Sequence, residues 1–165
     1  MTPKTSNFLE NNITFATLKN ALLGYYRFER GYPYVVTEFF DADVVVSDKK
    51  KVVECEVKIS WKDYRADWSK KKHNENYRSS FKPNMFYFAA PYDLAVRIQG
   101  DLEEKSSKYG VIAIIEHGTV QVLRKAKKLH TNTVTEKILT YMVSRLTSEL
   151  ITLRHKVELL QSKEN

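Results

Sequence analysis

The stretch Val52-Val53-Glu54-Cys55-Glu56-Val57-Lys58-Ile59 decides the reading of this chain. Its β-branched content predicts a strand, and alternate side chains of a strand share a face. Glu54, Glu56 and Lys58 therefore point one way, and Val53, Cys55, Val57 and Ile59 the other. Three charged groups on one face are costly to bury unless something compensates them. A site holding a divalent cation would do so. A solvent-facing edge strand with Glu and Lys paired across its surface gives the same pattern, and Glu-x-Glu-x-Lys alone is a weak motif.

Immediately upstream, Asp43 opens the run Val44-Val45-Val46, and Asp48-Lys49-Lys50 forms a turn into the charged strand. A hairpin would bring Asp43 toward Glu56. Two carboxylates and a lysine form a chemically sensible set. Phosphodiester hydrolysis needs an activated water and relief of charge on the phosphate, and Mg²⁺ or Mn²⁺ held by carboxylates supplies both. Asp43 and Glu56 are the expected ligands, with the Val57 carbonyl as a third. Lys58 is expected to orient the water or stabilise the pentavalent state.

Outward from this centre the chain reads as one α/β domain. Phe15, Leu18, Leu22 and Tyr25 recur at helical spacing, with Asn12 or Thr14 as the cap and Gly31 as the stop. Strands are expected at Tyr34–Phe40, Asp43–Ser47, Lys51–Ile59, Met85–Ala90, Val111–Glu116 and Val120–Arg124. Helices are expected at 62–79, at Leu94–Lys108 and over 134–161. Residues 1–12 read as a loose terminus, 13–130 as the core domain and 134–161 as an added helix. That order predicts a mixed sheet flanked by helices, plus a long C-terminal helix.

The 165 residues carry 27 Lys and Arg against 20 Asp and Glu, a formal charge of +7. Such a balance suits a polyanionic partner, DNA or RNA. The single cysteine, Cys55, excludes an intrachain disulfide and a thiolate metal cluster, and its facing places it in the core. The apolar runs are too short for a membrane span, and no apolar leader opens the chain, so the expected compartment is the cytoplasm.

Asp43 followed by Glu56-Val57-Lys58 on the next strand resembles the PD-(D/E)XK nuclease superfamily. Glu56-Val57-Lys58-Ile59-Ser60, Asp63, Arg65-Ala66-Asp67, the lysine cluster, Tyr77, Phe86-Tyr87-Phe88-Ala89-Ala90-Pro91 and Tyr109-Gly110-Val111-Ile112 look like its MmcB-like DNA-repair branch. The resemblance spans about residues 13–128. It implies a restriction-endonuclease-like core, a divalent metal and a role on DNA. Ala42 stands where the motif usually has Pro, with Asp41 before it. The superfamily often adds an acid from the first helix. Glu29, on the stripe of Leu18, Leu22 and Tyr25, and Glu38, on the first strand, compete for that part, with Glu38 preferred for its nearness to Asp43.

Lys62, Arg65, Lys70, Lys71, Lys72, Tyr77, Arg78 and Lys82 follow the charged strand and are expected on nucleic-acid phosphates or bases. Trp61 and Trp68 read as anchors of that helix to the core, although Trp61, Tyr64 and Trp68 could stack on unpaired bases. His73 and His117 are given no role. Leu139, Val143, Leu146, Leu150, Leu153, Val157 and Leu160 step by four and three, the spacing of a parallel two-stranded coiled coil with Glu149 and Arg154 at flanking charge positions. The expected assembly is a homodimer through this helix.

Overall fold

The computed structural model describes residues 13–73 and 81–163. Six strands form one mixed sheet whose spatial order repeats the chain order. They are β1 (Tyr34–Phe39), β2 (Ala42–Ser47), β3 (Val52–Val57), β4 (Met85–Pro91), β5 (Gly110–Ile114) and β6 (Val120–Arg124). Pairs β1–β2, β2–β3 and β5–β6 are antiparallel, whereas β3–β4 and β4–β5 are parallel. The charged strand β3 is therefore interior, hydrogen-bonded on both sides. That removes the edge-strand explanation of its acidic and basic residues.

Helices cover both faces. α1 (Phe15–Gly24) packs Leu18 and Leu22 against Val44, Val46, Val53, Cys55 and Val57. Thr14 caps it, accepting the Thr17 N–H at 3.2 Å. A π-helical turn over Tyr25–Glu29 follows. The extra residue rotates the stripe, so Tyr26 is buried and Glu29 is exposed. Glu29 thus does not face the sheet, contrary to the spacing. The opposite face is covered by α2 (Trp61–Asp67) and α3 (Tyr92–Lys105), with Tyr64, Phe88, Ile98 and Leu102 buried between them.

The helix expected over 62–79 is the main correction. α2 has only seven residues. The Ser69 hydroxyl and N–H both donate to the Ala66 carbonyl, the chain turns, and a 3₁₀ segment follows at Lys71–His73. Continuing the helix would have spread Lys70 and Lys72 around its axis; the turn brings both ammonium groups onto the β3 carboxylates. Asn74, Tyr77 and Arg78 lie outside the described residues.

The last helix, α4 (Glu136–Gln161), begins at the Thr135 cap and packs Met142, Ile138 and Leu139 against Val36, Phe39 and Val45. It crosses β1 at Thr37. Arg145 Nε donates to the Thr37 carbonyl and the Thr37 hydroxyl donates to the Glu149 carboxylate, both at 3.0 Å. From Leu150 onward its apolar residues are exposed. Among the described residues no helix is long and apolar enough to cross a membrane.

Candidate active site

Register builds the centre. Val44 pairs with Cys55 and Val45 with Glu54, so Asp43 enters β2 level with the end of β3. Its Oδ2 accepts the Val57 N–H at 2.8 Å, setting the carboxylate beside the peptide that joins Glu56 to Val57. Its Oδ1 lies 3.2 Å from Lys19 Nζ, an α1 group that no sequence pattern singled out. The same ammonium pairs with Glu38. Glu38 is thus linked to Asp43 through Lys19, but its side chain is 56% exposed and sits in the left-handed region at φ 49°.

Glu54, Glu56, Lys58 and Asp67 are all at most 3% exposed. They share one network. Lys58 Nζ lies 3.2 Å from Glu56 Oε1 and 2.7 Å from Asp67 Oδ1. Lys72 Nζ bridges Glu54 Oε1 at 2.8 Å and Glu56 Oε2 at 2.7 Å. Lys70 joins Glu56 to Asp67, the latter at 2.6 Å. Three carboxylates thus meet three ammonium groups. Such a set loses several kcal/mol per ion in desolvation, on the order of what its mutual attraction returns. Fold stability alone gives little reason to bury it, and perturbed buried ions are a mark of functional sites.

The electrostatics follow from that geometry. Burial raises the Glu54 carboxyl to about 7, against the lowering pull of Lys72. For Asp67, burial is outweighed by hydrogen bonds from His73, Lys58 and Lys70, which hold its carboxyl well below the ordinary value. For Lys72, burial is outweighed by Glu54 and Glu56, which keep the ammonium protonated. Behind Asp67 runs a short relay. His73 Nε2 is 2.6 Å from Asp67 Oδ2, and His73 Nδ1 is 3.1 Å from the Tyr109 hydroxyl. Asp67 belongs to the Arg65-Ala66-Asp67 stretch that carries the resemblance, whereas His73, which the sequence reading gave no role, is the member added here by its contact with Asp67.

The expected set therefore divides. Asp43, Glu56, Val57 and Lys58 converge at the end of β3. Lys70 and Lys72, expected on phosphates, are instead committed to carboxylates. Lys62, Arg65, Lys71 and Lys82 are exposed. Trp61 and Trp68 are half-buried against the α2–α3 core, as expected of anchors. Cys55 is fully buried and its thiol is pushed up to about 12 by burial, which makes it a core residue.

Asp43 and Glu56 offer hard oxygen donors of the kind Mg²⁺ and Mn²⁺ accept. Among the described residues no group of three or more His, Cys, Asp or Glu is arranged to hold a metal ion. Mg²⁺ commonly binds through one or two carboxylates and keeps several waters, and here every Asp43 and Glu56 oxygen is engaged by the Val57 N–H or a lysine ammonium. Asp43, Glu56 and the Val57 carbonyl are the groups that would hold it.

No family model matches the chain, and no curated protein matches it. Its fold is similar to that of the SPO1766 protein of unknown function from Silicibacter pomeroyi, at 14% sequence identity and a TM-score of 0.59, covering 94% of this chain and 96% of that one. At that identity the likeness concerns the fold: a mixed six-stranded sheet, flanking helices and a long C-terminal helix.

Proposed function

We propose that this chain is a Mg²⁺- or Mn²⁺-dependent nuclease of PD-(D/E)XK type, with a restriction-endonuclease-like core, hydrolysing phosphodiester bonds in DNA as part of its repair or processing. The observation that carries the reading is the Asp43 carboxylate on the Val57 N–H, beside Glu56 and a buried Lys58. The metal would supply charge relief on the phosphate and an activated water. Lys58, fixed between Glu56 and Asp67, presents a positive charge next to that position. Lys70 and Lys72 neutralise Glu56, and a cation held on Glu56 would leave at least one of these ammonium groups free to pair with a phosphate.

Incubation with duplex, single-stranded and branched DNA, and with RNA, in Mn²⁺ and in Mg²⁺ tests this reading. Cleavage that Glu56→Gln abolishes is the expected result. A parent protein that cuts none of these substrates under either metal rejects it. One observation favours a second reading, a nucleic-acid-binding module that does not cut: every Glu56 oxygen already has a lysine partner.

We also infer a homodimer through the distal half of α4. Leu150, Leu153, Val157 and Leu160 are each at least 51% exposed, and none of the described core clusters includes them. The structure of α4 alters two details of the spacing-based expectation. Glu149 is bonded to Thr37 of its own chain instead of standing ready for Arg154 of a partner. Ile151 and Leu159 are exposed beside the seam, which widens it.

A further inference from the structure

A cavity of about 340 Å³ opens beside the carboxylate network, between β4, the turn at 68–73 and the end of α3. Its size falls in the range of ligand sites, ~300–1,000 Å³. One wall is aromatic. Trp68 stacks on Tyr109 with centroids 5.8 Å apart at 19°, and Tyr109 packs on Phe86 at 4.5 Å. A hydrogen bond to His73, itself held by Asp67, fixes the Tyr109 ring in place. Two lysines, Lys82 and Lys108, stand at the mouth and are exposed, while Lys105 beside them is paired with Asp101 at 2.8 Å and lies 5.5 Å from the Trp68 ring centroid. Buried Glu54 forms part of the lining, and the cavity meets the Asp43–Glu56–Lys58 centre through it and Lys72.

A preorganised aromatic wall ringed by cations suits a ligand with a flat π-face and an anionic tail. A bare phosphate would leave the rings unused, and an apolar ligand would leave the lysines unused. A nucleotide satisfies both, since aromatic side chains stack on any base and lysines pair with phosphate. We infer that this cavity holds one unpaired nucleotide of a nucleic-acid strand, its base against the aromatic wall and its phosphates at Lys82 and Lys108. The inference rests on the nucleic-acid part of the proposed function and not on cleavage. It gives the site a preference for unpaired or extruded nucleotides, because a base inside a duplex cannot reach the wall.

The full-length Trp61→Phe protein leaves Trp68 as the sole tryptophan reporter. Its emission is followed in EDTA during titration with dAMP, with 2′-deoxyribose 5-phosphate and with deoxyadenosine. A saturable change with dAMP is expected, with the sugar phosphate about tenfold weaker for want of stacking. A short single-stranded oligonucleotide should displace dAMP. Replacing Lys82 and Lys108 by Gln together should weaken dAMP and leave deoxyadenosine unchanged. These lysines are exposed, so folding is not at stake. Equal binding of dAMP and the sugar phosphate, no saturable change, or an oligonucleotide that fails to compete each overturns the inference. Cleavage of DNA by a protein indifferent to dAMP rejects this site alone; dAMP binding by a protein that cuts nothing supports the site and rejects the nuclease reading.

Discussion

The Asp43 carboxylate accepts the backbone N–H of Val57 at 2.8 Å, so one side chain both closes the β2–β3 pair and stands at the proposed metal position. The two roles separate by substitution. Asp43→Asn keeps an acceptor oxygen and loses the charge, whereas Asp43→Ala loses both. The Ala variant should lose about 1–2 kcal/mol of stability through the orphaned N–H, and the Asn variant less. Both should abolish Mn²⁺ binding in a calorimetric titration. Undiminished Mn²⁺ binding by the Asn variant would place the metal elsewhere.

Lys58 is a structural as well as a chemical group. It is 3% exposed between Glu56 and Asp67, so Lys58→Ala leaves two carboxylates facing a gap. The expected cost is about 3–5 kcal/mol, the usual result of removing one partner from a buried ion pair. Denaturant melts should show it directly. Loss of cleavage in that variant therefore means little alone; Glu56→Gln keeps the side-chain shape and one acceptor oxygen but sets its amide nitrogen against a lysine ammonium, so its cleavage is read beside its own denaturant melt.

Asp67 makes the fold sensitive to acid. Its folded-state carboxyl titrates below the ordinary value of 3.8. A depressed acid contributes stability that is fully present above the unfolded value and is lost as pH falls through the folded one. Asp67→Asn should therefore be destabilised, by about 3 kcal/mol, at neutral pH. The gap to the parent should narrow as pH drops below 3.8. Melting curves of both proteins from pH 7 downward check this, and a gap independent of pH would contradict it.

Nucleic-acid affinity should depend on the exposed cations. Neutralising Lys62, Arg65 and Lys71 together should reduce the salt dependence of DNA binding by about one unit of log–log slope for each phosphate left unpaired. Lys70 and Lys72, tied to Glu54, Glu56 and Asp67, should contribute to the slope only when metal has displaced them. Comparing slopes with and without Mn²⁺ separates the two groups.

Assembly depends on the far half of α4. A chain ending before α4 would strip Met142, Ile138 and Leu139 from the core and unfold the domain instead of testing association. Leu153→Glu with Leu160→Glu touches only exposed positions. Sedimentation should show a dimer for the parent and a monomer of unchanged helicity for the double variant. A monomeric parent at micromolar concentration rejects the dimer.

Much of the architecture was legible in local patterns. The six strands and the helices α1, α3 and α4 follow from periodicity, the Asp48-Lys49-Lys50 turn and the Thr14 cap. Alternation along β3 correctly placed Glu54, Glu56 and Lys58 on one face, because Val53, Cys55 and Val57 left only one apolar side to bury. Three features were not legible. The π-helical turn moved Glu29 outward, and a one-residue insertion into a helix has no compositional signature. α2 stops at Asp67 because the β3 carboxylates draw Lys70 and Lys72 across, a tertiary attraction invisible to helix propensity. Lys19 meets Asp43 only once α1 has docked on the sheet.

Strand order that repeats chain order has a bearing on synthesis. As the chain leaves the ribosome, each new strand finds its neighbour already waiting, and no strand must be threaded between two others. The exception is the margin at β1, which is the first to form and waits for the last element. Until Arg145 and Glu149 of α4 reach Thr37, that margin offers Val36 and Phe39 to any neighbouring nascent chain. A growing polysome would hold many such unfinished sheets close together, and unfinished sheet margins are ready templates for cross-chain pairing.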